Sequence, residues 1–194
     1  MKNKKIVFGL CGSFCNMKYI IDEIKNLSKE NELLIVTSEQ VYHSDTRFYK
    51  AQDLQQILLQ YTHHPIIHTV VEAEKIGPMN CYDMMVIAPM SATVCSKLVH
   101  GIYDHPVTLA AKAMLRNKKN IIFGIATNDA LGISGKNLFS LLNYRHMYCI
   151  PFFQDDPIHK ETSLISKWSL IERTCELAEK GEQIQPILWQ NTKK

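Results

Sequence analysis

The sequence predicts a doubly wound α/β fold, a parallel sheet with helices on both faces. Apolar runs of strand length recur at Lys5 to Leu10, Glu32 to Thr37, Met84 to Ala88 and Asn120 to Thr127. Stretches with apolar residues at helical spacing separate them. The runs are apolar throughout, as strands covered on both faces are. Strand and helix in alternation imply βαβ units, although the pattern leaves the strand order open. No repeat, linker or low-complexity segment interrupts it, so residues 1–194 are expected to form one domain with frayed ends at 1–4 and 191–194. A chain of 194 residues can bury a sizeable core without staples.

Composition excludes several classes. The chain is 46% hydrophobic and 21% charged with a net charge of +3, and its basic residues are scattered away from the ends. That gives no nucleic-acid footprint. No apolar run approaches the ~18 residues of a membrane span. Lys2, Lys4 and Lys5 precede a first strand too short for a signal peptide, so the cytoplasm is the expected compartment. Disulfides are then not expected among the six cysteines, which read as buried or half-buried thiols. Cys11 and Cys15 stand four apart with no second pair to complete a zinc site. His63, His64 and His68 lie close together, but Pro65 kinks the chain and no further ligand has a suitable spacing. No metal site is expected.

After the first strand, Cys11 to Phe14 turn the chain into a helix with Tyr19, Ile20, Ile24 and Leu27 as its stripe. Gly12 permits a backbone that other residues resist, and Ser13 offers a hydroxyl and an N–H. This is not the G-x-G-x-x-G dinucleotide fingerprint. Thr37 and Ser38 end the second strand, where ligands bind in parallel α/β sheets. Ser38 is either a ligand contact or a simple cap. A polar loop, Val41 to Tyr49, carries His43, Asp45 and Arg47. Arg47 either pairs with Asp45 or serves as a fork for a carboxylate. Residues Asp53 to Leu59 continue as a helix, and Ile66 to Val70 as a short strand.

Met84 to Pro106 is the central stretch. Its apolar run stops at Pro89, and Pro89 to Ala92 form a turn. Val94, Leu98, Val99 and Ile102 then recur at helical spacing. A turn opening a helix presents unpaired N–H groups and a positive dipole end, suited to an anion. Ser91 could equally be an ordinary N-cap. A helix from His105-Pro106 follows, its Ala110, Ala111 and Ala113 implying close packing. Past the Asn120 to Thr127 strand, Asp129 is expected to cap a helix from Ala130 to Leu142, and Asn128 is open to a ligand role. Met147 to Phe152 reads as the last strand, Gln154 to Pro157 as a solvated turn or as a carboxylate pair for a cation or for acid-base work, and Ser163 to Lys180 as the terminal helix, ended by Gly181.

The central stretch resembles the signature loop of the flavoproteins that include phosphopantothenoylcysteine decarboxylase and the peptidyl-cysteine decarboxylases. Ala88, Pro89, Ser91, Ala92, Lys97, Gly101 and Asp104 match it. The family's Asn is Thr93 here, and its Thr is Val94. A nearer resemblance is to one branch, the B subunits of dipicolinate synthases of spore-forming bacteria. It is carried by GLCGS, DTRF, IGP, MVIAP, PVTLAAKAMLRN, ATNDALG, IPFFQDDP and QIQPIL.

The resemblance implies a Rossmann- or flavodoxin-like flavoprotein fold and FMN. Cofactor contacts would come from Gly12, Ser13, Ser38, Pro89, Ser91, Ala92 and Thr93. Arg47 would anchor a small dicarboxylate substrate, with Asn128 a second candidate, and no residue stands out as a general base. The implied activity is oxidation of a dihydrodipicolinate, or its hydroxylated tetrahydro precursor, to dipicolinate in the mother cell during sporulation. NADP would enter through a partner, the A subunit of the synthase. A homo-oligomer, a trimer or a multiple of it, is also implied. One alternative is a non-catalytic partner that stabilises or completes the A subunit. Another is a flavin-dependent decarboxylase, against which stand Thr93 and the absence of the decarboxylases' Pro-x-Met-Asn clamp at Asn128 to Gly132.

Overall fold

The computed structural model describes residues 1–190. Strand β1 (Lys5–Leu10) pairs in parallel with β2 (Glu32–Thr37) on one side and β3 (Met84–Met90) on the other. Strand β4 (Asn120–Thr127) joins β3 in parallel, and β5 (Met147–Cys149) joins β4. The parallel order is therefore β2-β1-β3-β4-β5, the flavodoxin-like winding. Strand residues alternate between two cores. Val7, Met85, Ile87, Ile121 and Phe123 face one side; Ile6, Phe8, Val86 and Ile122 face the other.

On the second face lie α1 (Met17–Ser28) and α3 (Ala51–Leu59). Helix α1 buries Met17, Ile20, Ile24 and Leu27, each contributing roughly 1.5–3 kcal/mol. Tyr19 is not on that stripe; it is 58% exposed. The supposed loop after Ser38 opens as a helical turn, α2 (Glu39–His43), with Val41 buried. The strand expected at Ile66 to Val70 is only one bridge, Ile67 to Val36. It gives way to α4 (Val70–Ala73), closed by a Thr69–Glu72 capping box, and α5 (Ile76–Met79).

The opposite face carries α6 (Ala92–Val99), α7 (Pro106–Arg116) and α8 (Gly135–Leu141). Ala110 and Ala111 are fully buried, as close packing required. Pro89 does not end β3, which runs on to Met90 through a register shift beyond Ile87. Helix α6 stops at Val99, leaving Ile102 exposed.

The C-terminal third departs most from expectation. Two short antiparallel strands, β6 (Phe152–Phe153) and β7 (Leu164–Ser166), extend the sheet, β7 pairing with the last residues of β4. A 3-10 turn at Trp168–Leu170 leads into α9 (Ile171–Ala178), much shorter than the helix expected. Leu164, Trp168 and Ile171 mimic helical spacing, but only the last lies in α9. The tail packs beside β6: Phe152 N–H donates to Ile187 O, and Trp189 N–H to Phe152 O. Residues 191–194 lie outside the described chain. Residues 1–4 are tied down rather than frayed, with the Met1 ammonium 3.1 Å from Glu172 and 3.2 Å from Glu176. Four cysteines are buried, but Cys15 and Cys81 are exposed, contrary to expectation.

Candidate functional site

In the β2-β1-β3 order the chain leaves β1 toward one neighbour and β3 toward the other. A crevice opens between their C-terminal ends. Gly12 turns the chain there with φ 74°. Ser38 caps α2, its Oγ accepting from Val41 N–H at 3.1 Å. Ser91 caps α6, accepting from Val94 N–H at 3.3 Å. Both serines are thus true caps, yet both also line one cavity of about 270 Å³ with Gly12, Gln40, Thr93, Lys97 and His105. Each cap satisfies one N–H of its helix's first turn. The N–H groups of Ala92 and Thr93 precede any intrahelical partner, so helix geometry leaves them for a ligand. Pro89 supports the floor: its carbonyl accepts from Cys11 N–H and from the Cys11 thiol, each at 3.3 Å.

Lys97 brings positive charge to this cavity and pairs with Asp104 at 2.5 Å. Burial pushes the Cys11 thiol up to about 12, so it stays protonated and is no nucleophile. His105 caps α7, its Nδ1 accepting from Val107 N–H at 3.2 Å. Burial, then the Lys97 charge, lowers its pKa below the ordinary histidine value. Protonation would break the cap. The unfolded chain therefore takes up this proton first as pH falls, and the contribution of neutral His105 is full above the unfolded histidine pKa and lost as pH drops through the lowered folded one. Urea unfolding is expected to show stability falling from pH 7 to pH 5. His105→Asn, which keeps a capping acceptor, is expected to reduce that slope.

A second cavity, of about 440 Å³, lies across the Gly12-Ser13 turn toward β4 and β7. Ser13 lines this cavity rather than the first, with Cys15, Asn16, Thr127, Asn128, Asp129 and Lys160. Asp129 does not cap a helix, because α8 begins only at Gly135. Its carboxylate accepts from Thr127 Oγ1 and Ser134 Oγ, both at 2.7 Å, and these hydroxyls hold its pKa below the ordinary value. It is an anion and a weak base. The Asn128 carbonyl accepts from Thr162 Oγ1 at 2.6 Å, which fixes the rim. Asp155 accepts from Ser163 Oγ, and Asp156 pairs with His159 at 3.0 Å, a turn locked by its own contacts.

Arg47 is in neither cavity. It is exposed, its guanidinium 4.8 Å above the Phe48 ring. Nor does it pair with Asp45, which binds Lys50 at 2.9 Å and Ala51 N–H at 2.9 Å. Asp45 thereby closes the turn into α3, and the loop carries Arg47 outward. His43 is exposed, its ring edge-on to Tyr42, which stacks on His68 at 3.7 Å. His64 pairs with Glu32 at 2.9 Å. The lining residues that sequence reasoning missed are Asn16, Gln40, His105 and Lys160. Only His105 had a local signal, its place before Pro106.

Comparison with known proteins decides the family. The Flavoprotein family model matches residues 1–156. This chain belongs to the Flavoprotein family. A relative in Bacillus subtilis (strain 168), the dipicolinate synthase B subunit, is 39% identical to this flavoprotein over 192 residues, covering 98% of this chain and 96% of its own. The crystal structure of the dipicolinate synthase B subunit from Bacillus halodurans C is 36% identical with a TM-score of 0.89, covering 97% of each chain. The FMN-dependent cysteine decarboxylase SpaF is 18% identical with a TM-score of 0.62, covering 91% of this chain and 97% of its own. That last likeness is one of fold. The flavoprotein has Thr93 in the first turn of α6, beside the Ser91 cap. Among the described residues, none of its helices is long and apolar enough to cross a membrane.

Proposed function

We propose that this flavoprotein is the FMN-binding B subunit of a dipicolinate synthase, working with an A subunit that brings NADP. The observation that carries this reading is the convergence of the Ser38 and Ser91 caps on Gly12 at the β1/β3 switch point. The fit to a phosphate is physical. First-turn residues of α2 and α6, Gln40 and Thr93, line one cavity, Lys97 places a cation there in a pair with the exposed Asp104, and Gly12 keeps a Cβ out of the throat. Bound FMN would supply two-electron redox chemistry. Thr93 would stand beside the flavin.

The chain's own residues would bind, orient and exclude water. Oxidation of the precursor ring to a pyridine removes a hydride and a proton, and aromaticity drives it. Neither Cys11 nor Asp129 is suited to taking that proton, since one is held protonated and the other is a weak base. This favours proton transfer to water or to a group of the A subunit, so that activity requires the pair. Carboxylate anchoring is not proposed for Arg47, which lies outside both cavities. Lys160 is the cation lining the larger one.

Titration of the purified chain with FMN and with riboflavin tests the reading. FMN is expected to bind about 100-fold more tightly, since two charge-assisted hydrogen bonds to phosphate contribute about 3 kcal/mol. Equal affinities would remove the phosphate site, and no binding of either would remove the flavin.

A further inference from the structure

A hydrogen-bond chain enters the larger cavity from the far end of the sequence. Trp168, 6% exposed, donates its indole Nε1–H to Asn16 Oδ1 at 3.3 Å. Asn16, 7% exposed, places its Nδ2 2.8 Å from Ser13 Oγ and 3.4 Å from Cys15 Sγ. An indole nitrogen only donates. The carboxamide oxygen must therefore face Trp168, and the amide NH₂ must face the loop. Trp168 fixes the polarity of Asn16, and Asn16 fixes that of Ser13. A hydroxyl that accepts from an amide keeps its own proton for another partner. Among the described residues, no protein acceptor takes the Ser13 proton. Ser13 also holds a left-handed backbone, φ 52° and ψ 51°, uncommon for a residue with a side chain. Its hydroxyl lines the cavity.

We propose that Asn16 and Trp168 are positioning residues that commit Ser13 to donate a hydrogen bond to an acceptor oxygen of the ligand in this cavity. The acceptor is a ring carbonyl of the flavin or a carboxylate of the dicarboxylate ligand. For its ligands this rests on the reading above, but the hydrogen-bond polarity stands apart from it.

Asn16→Asp tests the idea. Aspartate still accepts from Trp168, but it cannot donate, so the Ser13 proton turns toward it and is lost to the ligand. Affinities of the full chain for FMN and for pyridine-2,6-dicarboxylate are measured separately for wild type, N16D, S13A and the double variant. N16D is expected to weaken one probe about 10-fold or more, the equivalent of one charge-assisted hydrogen bond. In the S13A background it is expected to add less than about 2-fold, because both changes remove the same bond. Should N16D not fold, Trp168→Phe frees the amide to turn and is put through the same comparison. A full N16D effect persisting in the S13A background would overturn the proposal, since added charge or altered packing would then explain it. So would unchanged affinity for every probe that binds. If FMN fails to bind but pyridine-2,6-dicarboxylate shows the coupling, the flavin reading falls and this one stands. If neither binds wild type, both fall.

Discussion

Gly12→Val is expected to abolish FMN binding while the chain stays folded. Gly12 has φ 74°, where a residue with a Cβ is strained by about 1–2 kcal/mol. A Cβ built there comes within 3.7 Å of Ser91 Cβ, an ordinary contact, so the backbone does not clash. The two methyls of valine, however, have to enter the throat between the β1 turn and the Ser91 cap. A typical stability of about 5–15 kcal/mol absorbs the strain. The phosphate loses its seat. Flavin fluorescence quenching is expected to show at least a 100-fold loss of affinity, with a cooperative melt retained in circular dichroism. Wild-type affinity in G12V would mean that the cavity between Ser38 and Ser91 does not hold the phosphate.

Gly124→Ala is expected to give a large loss of stability, about 3 kcal/mol. Gly124 sits within β4 on the face covered by Trp168. A Cβ there would lie 2.6 Å from Trp168 Cζ3, 2.9 Å from Ile150 Cδ1 and 3.3 Å from Ser166 Cβ. Ile150 and Ser166 are almost wholly buried and Trp168 is 6% exposed, so none of them can give way without repacking. Overpacking of this kind costs about 1–3 kcal/mol, and three simultaneous contacts put it at the upper end. Displacing Trp168 also disturbs its bond to Asn16, so the Ser13 side of the larger cavity suffers with the fold. Urea unfolding monitored by tryptophan fluorescence reads the loss. Unchanged stability would mean that the segment carrying Trp168 moves off the sheet at little cost.

Strands β1 to β4 were legible because each is a continuous apolar run whose central residues are buried. The limits of β1, β2 and β4 agree with the sequence to the residue. The covered face of α1 was misread at one place only, Tyr19, which lies beside the stripe. The short antiparallel strands were not legible. Two or three residues are too few to show a period of two, and β7 exists because the last residues of β4 have no other neighbour. Proline at position 89 suggested a stop, yet β3 continues because its pairing with β4 shifts register there.

By itself the sequence determined the fold class, the turns at Gly12, Ser38 and Ser91, and the family, because these rest on local pattern and local motifs. Tertiary structure alone decided which residues share a cavity. Ser38 and Ser91 meet because the order β2-β1-β3 brings distant strand ends together, whereas Ser13, next to Gly12, turns to the other side. Arg47 was separated from the site by the Asp45 contacts that close its loop. Asn16 acquired its orientation from Trp168, 152 positions away. Such pairings depend on which strand ends become neighbours, and no local spacing encodes them.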